Sequence, residues 1–411
     1  MTKPLEGLKV LDFSTLLPGP YATMMLADLG ATVLRIEAPH RPDLLRFIPP
    51  MVGGSGAVSA AHASINRGKA SLALDLKQPE SIGIIERLLG EYDILVEQFR
   101  PGVMDKLGLG YKTLSAFNPR LIYCSISGYG QSGPKQADAG HDINYLAASG
   151  LASYSGRADT GPVLSGLQIA DIAGGAHHAV MGVLAAANAR HSSGRGAHID
   201  ISMTDCAFAL NTICGASALG GGPEPHAGTE LLNGGTHYDY YRTADGRHLA
   251  VGCLEPQFAQ RFFAAIGQPE WNARTAELVP EALRQLKADI ATVIGAQPLA
   301  YWTDIFDAVD ACVEPVKTFS EAADSQLMRE RGMLARATLD DGSHIPQISN
   351  PILIDGARAH ASRPPDAGHT TRGGGLPGRD SIQILTGLGY SEEEIAYFLA
   401  SGAVAEAAAI S

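Results

Sequence analysis

Strand-like and helix-like stretches alternate along the first two hundred residues, and this alternation restricts the fold more than any other feature of the chain. Residues 8–13 (LKVLDF) read as a buried strand. Pro18, Gly19 and Pro20 then turn the chain, and Ala22, Met25, Leu26 and Leu29 recur at helical spacing. Gly30 suits the end of that helix, because glycine accepts the left-handed conformation that often closes one. Residues 32–36, 71–76, 93–97, 121–126 and 197–201 are further strand patterns, with a helical stretch over 80–89. Strands alternating with helices predict a parallel sheet covered on both faces. Residues 170–187 read as a long helix starting near Asp171, and 202–219 as another.

A chain of 411 residues exceeds one ordinary domain. A Gly/Pro-rich connector, GGGPEPHAGTELLNGG, precedes a hairpin pattern over 238–251, with ADGR as its turn. Helical segments follow from Glu255 to about Ala308. The expected division is a large α/β domain over 1–200, a linker helix and connector over 201–229, and a small α+β domain over 230–325. Residues 326–411 then return, and their last helices complete the large domain. A second loose stretch, 357–380, is rich in Pro and Gly, and Ser391 with three Glu behind it is a good helix start.

The net charge of −12 argues against a nucleic-acid-binding footprint. The five cysteines (124, 206, 214, 253 and 312) are odd in number and lack paired spacing, which suits reduced thiols rather than a disulfide framework or zinc site. The N-terminal residues contain no apolar secretory core, and no uncharged apolar run reaches the roughly 20 residues of a membrane span. A soluble cytoplasmic protein is expected. The turn after the first strand, LLPGP, lacks the G-x-G-x-x-G of a dinucleotide site, although Glu37 ends the second strand where a ribose-binding acid would sit.

Three residues stand out chemically. His141 lies in GHDINY, beside an acid and after a Gly-rich run. A metal site would need further ligands at suitable spacing, and the adjacent His177 and His178 project in different directions on a helix. His141 is therefore either a satisfied core histidine or a base. Asp171 lies among apolar residues at a helix start, either as a cap or as a functional carboxylate in the field of the helix N-terminus. Glu255 follows an apolar strand and precedes Pro256, a good first helical residue, so a helix-starting role competes with a catalytic one. Arg67, Lys69, Lys77, Arg100 and Lys106 lie near strand ends, either as surface charge or as contacts for a phosphate-rich ligand.

The stretches KPLEGLKVLDFSTLLPGPYATMMLADLGATVLRIEAP, NRGKASLALDLK, DILVEQFRPGVMDKLGLGY and NPRLIYCSISGYGQSGP together resemble the family III CoA-transferases, the CaiB/BaiF superfamily. The C-terminal LGYSEEEIAYFLASGAV continues the resemblance. GHDINY, YYRTADGRHLAVGCLEPQF and DACVEPV resemble its α-methylacyl-CoA racemase branch. The resemblance implies a Rossmann-like α/β domain with a smaller α+β domain, in an interlocked homodimer. It implies His141 and Asp171 as two bases and Glu255 as the partner of the His, reaching it from the second chain. It implies CoA contacts at Leu74, Asp75, Leu76 and Lys77, at Gln98, Phe99, Arg100 and Lys106, and at Gly140, Asp142, Ile143, Asn144 and Tyr145. Departures occur at Ala38, where Arg is frequent and Arg41 is the substitute, at Lys106 in place of Arg, and at Ala170 in place of Gly.

The implied reaction removes the α-proton of a 2-methylacyl-CoA thioester and returns it to the opposite face through an enolate. Two bases are needed, one deprotonated and one protonated, and a His with a carboxylate supplies both states. The paired glycines Gly174 and Gly175 would allow a ligand close to the helix start. The rival is CoA transfer between carboxylic acids, in which Asp171 alone acts as nucleophile through an anhydride and a CoA thioester. Leu17 stands where the oxalate-linked transferases have Gln, which suits a hydrocarbon tail. A non-catalytic acyl-CoA-binding protein is a third reading. No cofactor is expected beyond the CoA carried by the substrate, and no metal, nucleic acid or membrane partner.

Overall fold

The computed structural model describes residues 3–54, 58–277, 279–358 and 371–407. They fall into two compact units. The larger holds the chain up to Tyr145, Leu167–Ala207 and the chain from Gln326 onward; the smaller holds Leu146–Gly166 and Phe208–Ser325.

The larger unit is built on β1 (Lys9–Asp12), β2 (Thr32–Glu37), β3 (Lys69–Leu74), β4 (Ile94–Glu97), β5 (Ile122–Ser127) and β6 (His198–Ser202). All six run parallel, in the order β3-β2-β1-β4-β5-β6, and Val404–Ala405 adds an antiparallel edge against β3. Every residue of β4 and β5 is buried, as expected of a parallel sheet covered on both faces. The core joins Leu11, Leu34, Leu72 and Leu95 of the sheet to Ile84, Ile85 and Leu88 of the helix Pro79–Leu88. Leu385 and Phe398, from the C-terminal helices Ser381–Gly387 and Glu392–Ser401, complete that layer. The Glu392–Ser401 helix opens with a full capping box between Ser391 and Glu394. The chain winds outward from β1 to β3 and returns past β1 for β4 to β6. The order therefore reverses between β1 and β4, and a crevice opens beyond their carboxyl ends, where doubly wound sheets bind ligands.

The smaller unit carries a three-stranded antiparallel sheet, Asp239–Arg242, His248–Val251 and Val313–Pro315. Helices Pro256–Ala265, Pro280–Ile294 and Leu299–Phe306 pack on it through Phe262, Phe263, Leu286, Ile290 and Trp302.

The expected boundaries differ from these units in two places: the expected linker 201–229 is divided, its residues to Ala207 in the larger unit and those from Phe208 in the smaller, and one segment of the expected large domain changes unit. Leu146–Gly166, expected within 1–200, joins the smaller unit. Tyr154 donates to Asn211 Oδ1 at 2.6 Å, Asn233 Nδ2 donates to the Tyr154 carbonyl at 2.9 Å, and Arg157 pairs with Asp239 at 3.1 Å. The helix expected over 202–219 is broken into Met203–Ala209 and Cys214–Leu219. In the loose stretch 357–380, residues 359–370 lie outside the described residues. Among the described residues no helix is long and apolar enough to cross a membrane, and all five cysteines are free thiols.

Candidate active site

Asp12, the last residue of β1, organises the first wall of the crevice. It is fully buried and accepts from Ser14 N at 2.9 Å, from the Ser14 hydroxyl, from Thr23 Oγ1 at 2.6 Å and from Lys69 Nζ at 3.0 Å. Burial pushes its carboxyl up, but Lys69, Arg35 and these hydroxyls outweigh it, and the net shift is downward. Lys69 and Arg67 are thus internal partners, of Asp12 and Asp28, and do not line the cleft. Beyond Asp12 the chain passes through Leu16 at φ 59°, a left-handed conformation that costs a non-glycine residue energy. The Asp43 carboxylate holds Leu16 there by accepting its N–H at 3.2 Å. Gly19 N donates to Gln98 Oε1 at 2.9 Å and so ties this turn to the end of β4. A Cβ at Gly19 would lie 2.7 Å from that same oxygen.

The GHDINY stretch forms the opposite wall. Its helix, Asp142–Ala148, starts with the Asn144 side chain accepting from His141 N at 3.0 Å, which occupies the His141 backbone. The His141 imidazole is exposed to the cleft. Tyr145 is buried and donates to the Gly140 carbonyl at 2.5 Å. A Cβ at Gly140 would sit 2.6 Å, and one at Gly128 2.5 Å, from the Tyr145 ring. Only glycine fits at either position.

Asp171 lies in the first turn of a wide helical segment, Ala170–Ala176, that runs on into the helix His177–Ser193. Such π-type turns recur at functional sites. Its N–H donates to the buried Asp142 carboxylate at 3.0 Å. Burial pushes the Asp171 carboxyl up to about 6; the Asp142 charge adds to the rise and His141 opposes it. Gly174 and Gly175 do not open toward a ligand. Both are buried, and a Cβ at Gly175 would meet Met203 Cγ at 2.9 Å and Pro18 at 3.4 Å, so the pair serves close packing. His178 donates through Nδ1 to the Gly174 carbonyl at 2.6 Å, and His177 meets the Tyr21 ring edge-on.

His141 and Asp171 line one cleft of about 430 Å3, together with Gln98, Phe99, Arg100, Gly140, Asn144 and Tyr145. That volume suits a small-molecule site. Leu16 and Leu17 form apolar lining, and the structure adds Ile126, Met203 and Ser127, whose buried hydroxyl has no hydrogen-bond partner among the described residues. The sequence offers one signal for these: they lie at or just beyond the carboxyl ends of β1, β5 and β6. Glu97, directly before Gln98, is buried and accepts from Phe99 N at 2.8 Å; burial pushes its carboxyl up to about 7.

The other expected residues lie elsewhere. Asp142 is buried and acts on Asp171 from behind, and Ile143 is exposed and does not line the cleft. Leu74 is buried in the sheet, paired with Val404, and Asp75 N donates to the Ala403 carbonyl. Leu76, Lys77 and Lys106 are likewise not in the cleft lining; Lys77 and Lys106 are exposed. Glu255 belongs to the smaller unit. It is the N-cap of Pro256–Ala265 by its backbone alone, for its side chain makes no cap hydrogen bond. The cap role thus leaves its carboxylate unused. Among the described residues no cluster of His, Cys, Asp and Glu could hold a metal ion.

A doubly wound sheet with this cleft at its reversal point, a His and an Asp opening on it, matches a known family. The sequence profile of CoA-transferase family III matches residues 5–371, and the chain belongs to that family. It is 36% identical to an alpha-methylacyl-CoA racemase from Mus musculus, over 95% of each chain. It is 33% identical to an acetyl-CoA:oxalate CoA-transferase from Acetobacter aceti, over 88% of this chain and 92% of that one. A crystal structure of a CAIB/BAIF family protein from Brucella suis superposes with a TM-score of 0.80 at 26% identity, covering 94% of this chain and all of that one.

Proposed function

We propose that the protein is an acyl-CoA racemase that interconverts (R)- and (S)-2-methylacyl-CoA thioesters. The observation that carries the reading is the pairing of His141 and Asp171 on one cleft, in a chain resembling the racemases over 95% of its length. The Asp171 carboxyl, raised to about 6 by burial, and the imidazole on the same cleft are two groups that can each take up or return a proton. In one direction the Asp171 carboxylate takes the α-proton and the His141 imidazolium returns one from the other face; the reverse direction exchanges the roles. Leu16, Leu17, Ile126 and Met203 supply an apolar wall for the acyl chain, and Arg100 is the cation for the CoA moiety. No cofactor beyond that CoA is invoked. The 33% identity to a CoA-transferase keeps a second reading, in which Asp171 alone attacks an acyl-CoA.

The functional form is a homodimer in which Glu255 of one copy orients and charges His141 of the other. Large exposed apolar residues of the smaller unit, Phe208, Ile213, Leu219, Leu231 and Leu232, support a covering partner. The free thiols suit a reducing compartment such as the cytoplasm.

Single substitutions separate the two reactions. A racemase with His141→Ala or Asp171→Ala loses epimerisation by about 10²-fold or more in each case, a usual cost of one acid–base group. A transferase loses activity with Asp171→Ala and little with His141→Ala. Equal, mild losses in both variants contradict the two-base scheme.

A further inference from the structure

We propose that the larger unit holds a second ligand site, for one small monovalent anion of the halide class, bordered by β2, β3, Arg46, the helix Ala60–Ile65 with its cap Asn66, and the chain segment 374–379. A small cavity of about 10 Å3, the least space that takes one water-sized guest, is lined there by Arg35, Glu37, Arg46, His62, Asn66, Lys69 and Arg379, with Ser71, Gly374 and Gly375 among the remaining lining residues. The lining therefore carries four cationic side chains and one carboxylate. The other carboxylates that pair with these cations, Asp12, Asp43, Asp340 and Asp380, are not part of the lining.

Among the described residues, three buried side-chain donors without a hydrogen-bond partner belong to residues that line this cavity: Arg35 Nε, His62 Nδ1 and Asn66 Nδ2. Their residues are 2%, 1% and 2% exposed. The surrounding bonds fix their polarity. Arg35 Nη1 lies 3.3 Å from His62 Nε2, and a guanidinium can only donate, so Nε2 accepts and the proton sits on Nδ1. Lys69 donates to Asn66 Oδ1 at 2.9 Å, which leaves the Asn66 amide nitrogen as a free donor. Arg35 Nε lies 3.5 Å from Glu37 Oε1 without a hydrogen bond.

The acceptors on the lining are already engaged. Glu37 receives Arg46 at 2.6 Å and the Ser71 hydroxyl at 2.5 Å. Ser71 Oγ receives Gly378 N at 2.9 Å, and the Gly375 carbonyl receives Arg46 Nη1 at 2.7 Å. A water must donate as well as accept, whereas a halide only accepts. A buried donor left unpaired costs free energy, so a cation-rich lining whose unpartnered polar atoms are donors favours the anion. Gly374 keeps the space open, since a Cβ there would approach His62 Nδ1 to 3.2 Å and Asn66 Cβ to 2.7 Å. The site joins the sheet to the returning C-terminal segment, and an anion bound only in the folded state stabilises that junction by mass action.

The decisive experiment is crystallisation of the full chain in sodium bromide with anomalous data at the bromine edge. The expected result is an anomalous peak within hydrogen-bonding reach of His62 Nδ1 and Asn66 Nδ2, and its loss in Asn66→Asp, which places a carboxylate against the guest. In solution, the wild-type melting temperature rises with bromide at ionic strength held constant with gluconate, and Asn66→Asp lowers bromide affinity about tenfold or more. A water oxygen without anomalous signal at that position overturns the proposal, as does a peak that persists in Asn66→Asp. The wild-type map decides between anion and water even where the variant fails to fold.

Discussion

Two carboxyls near the cleft are raised for the same physical reason and serve different ends. Asp171, raised to about 6, opens on the cleft, while Glu97, raised to about 7, is buried behind Gln98. An acid whose pKa is higher folded than unfolded binds more protons in the folded state between those two values. Its ionisation then costs stability as pH rises through that window. For Glu97 the window runs from 4.5 to about 7. Glu97→Gln keeps an acceptor for Phe99 N and removes the charge. It is expected to stabilise the protein by about 1–3 kcal/mol at pH 8, at 1.36 kcal/mol per pKa unit, and by almost nothing near pH 4. Denaturant unfolding at the two pH values checks this; an equal effect at both contradicts it. At this scale His141 and Asp171 were legible as local patterns. Asp12, Glu97 and the left-handed backbone at Leu16 were not, because they depend on burial and on partners far along the chain. Lys69 shows the same limit: its charge is visible in the sequence, but the Asp12 that consumes it is 57 residues away.

The strands of the parallel sheet were the most legible elements, since each is a short apolar run between turn signals. Their order in the sheet is what turns them into a site, for it sets the reversal between β1 and β4. Val404–Ala405 was not legible, because two residues carry no periodicity. Gly128, the first glycine of the GYG stretch, and Gly140 of GHD are tied to one ring, Tyr145. Gly128→Ala forces that ring away, releases its bond to the Gly140 carbonyl and shifts the His141 backbone. The expected result is a fall in kcat/KM of about 10- to 100-fold, the cost of misplacing a catalytic group by roughly 1 Å. Steady-state kinetics on the folded variant test it, and unchanged kinetics would remove Tyr145 from the positioning of His141.

At the scale of the whole molecule, the larger unit carries His141 and Asp171, and the smaller carries Glu255. If sites are shared between copies, two inactive variants complement each other. Co-expression of His141→Ala with Glu255→Ala forms mixed dimers in which one site holds both defects and the other neither. Random pairing of a two-site dimer then restores about a quarter of wild-type activity. No recovery, with mixed dimers present, contradicts site sharing.

The central claim is proton transfer at the α-carbon of an acyl-CoA. One stereoisomer of a 2-methylacyl-CoA, incubated with the protein in D2O without any acceptor acid and followed by NMR at the α-proton, tests it most directly. The account predicts loss of the α-proton signal together with appearance of the other stereoisomer. A signal that persists under these conditions contradicts it and turns attention to CoA transfer, with Asp171 as the nucleophile.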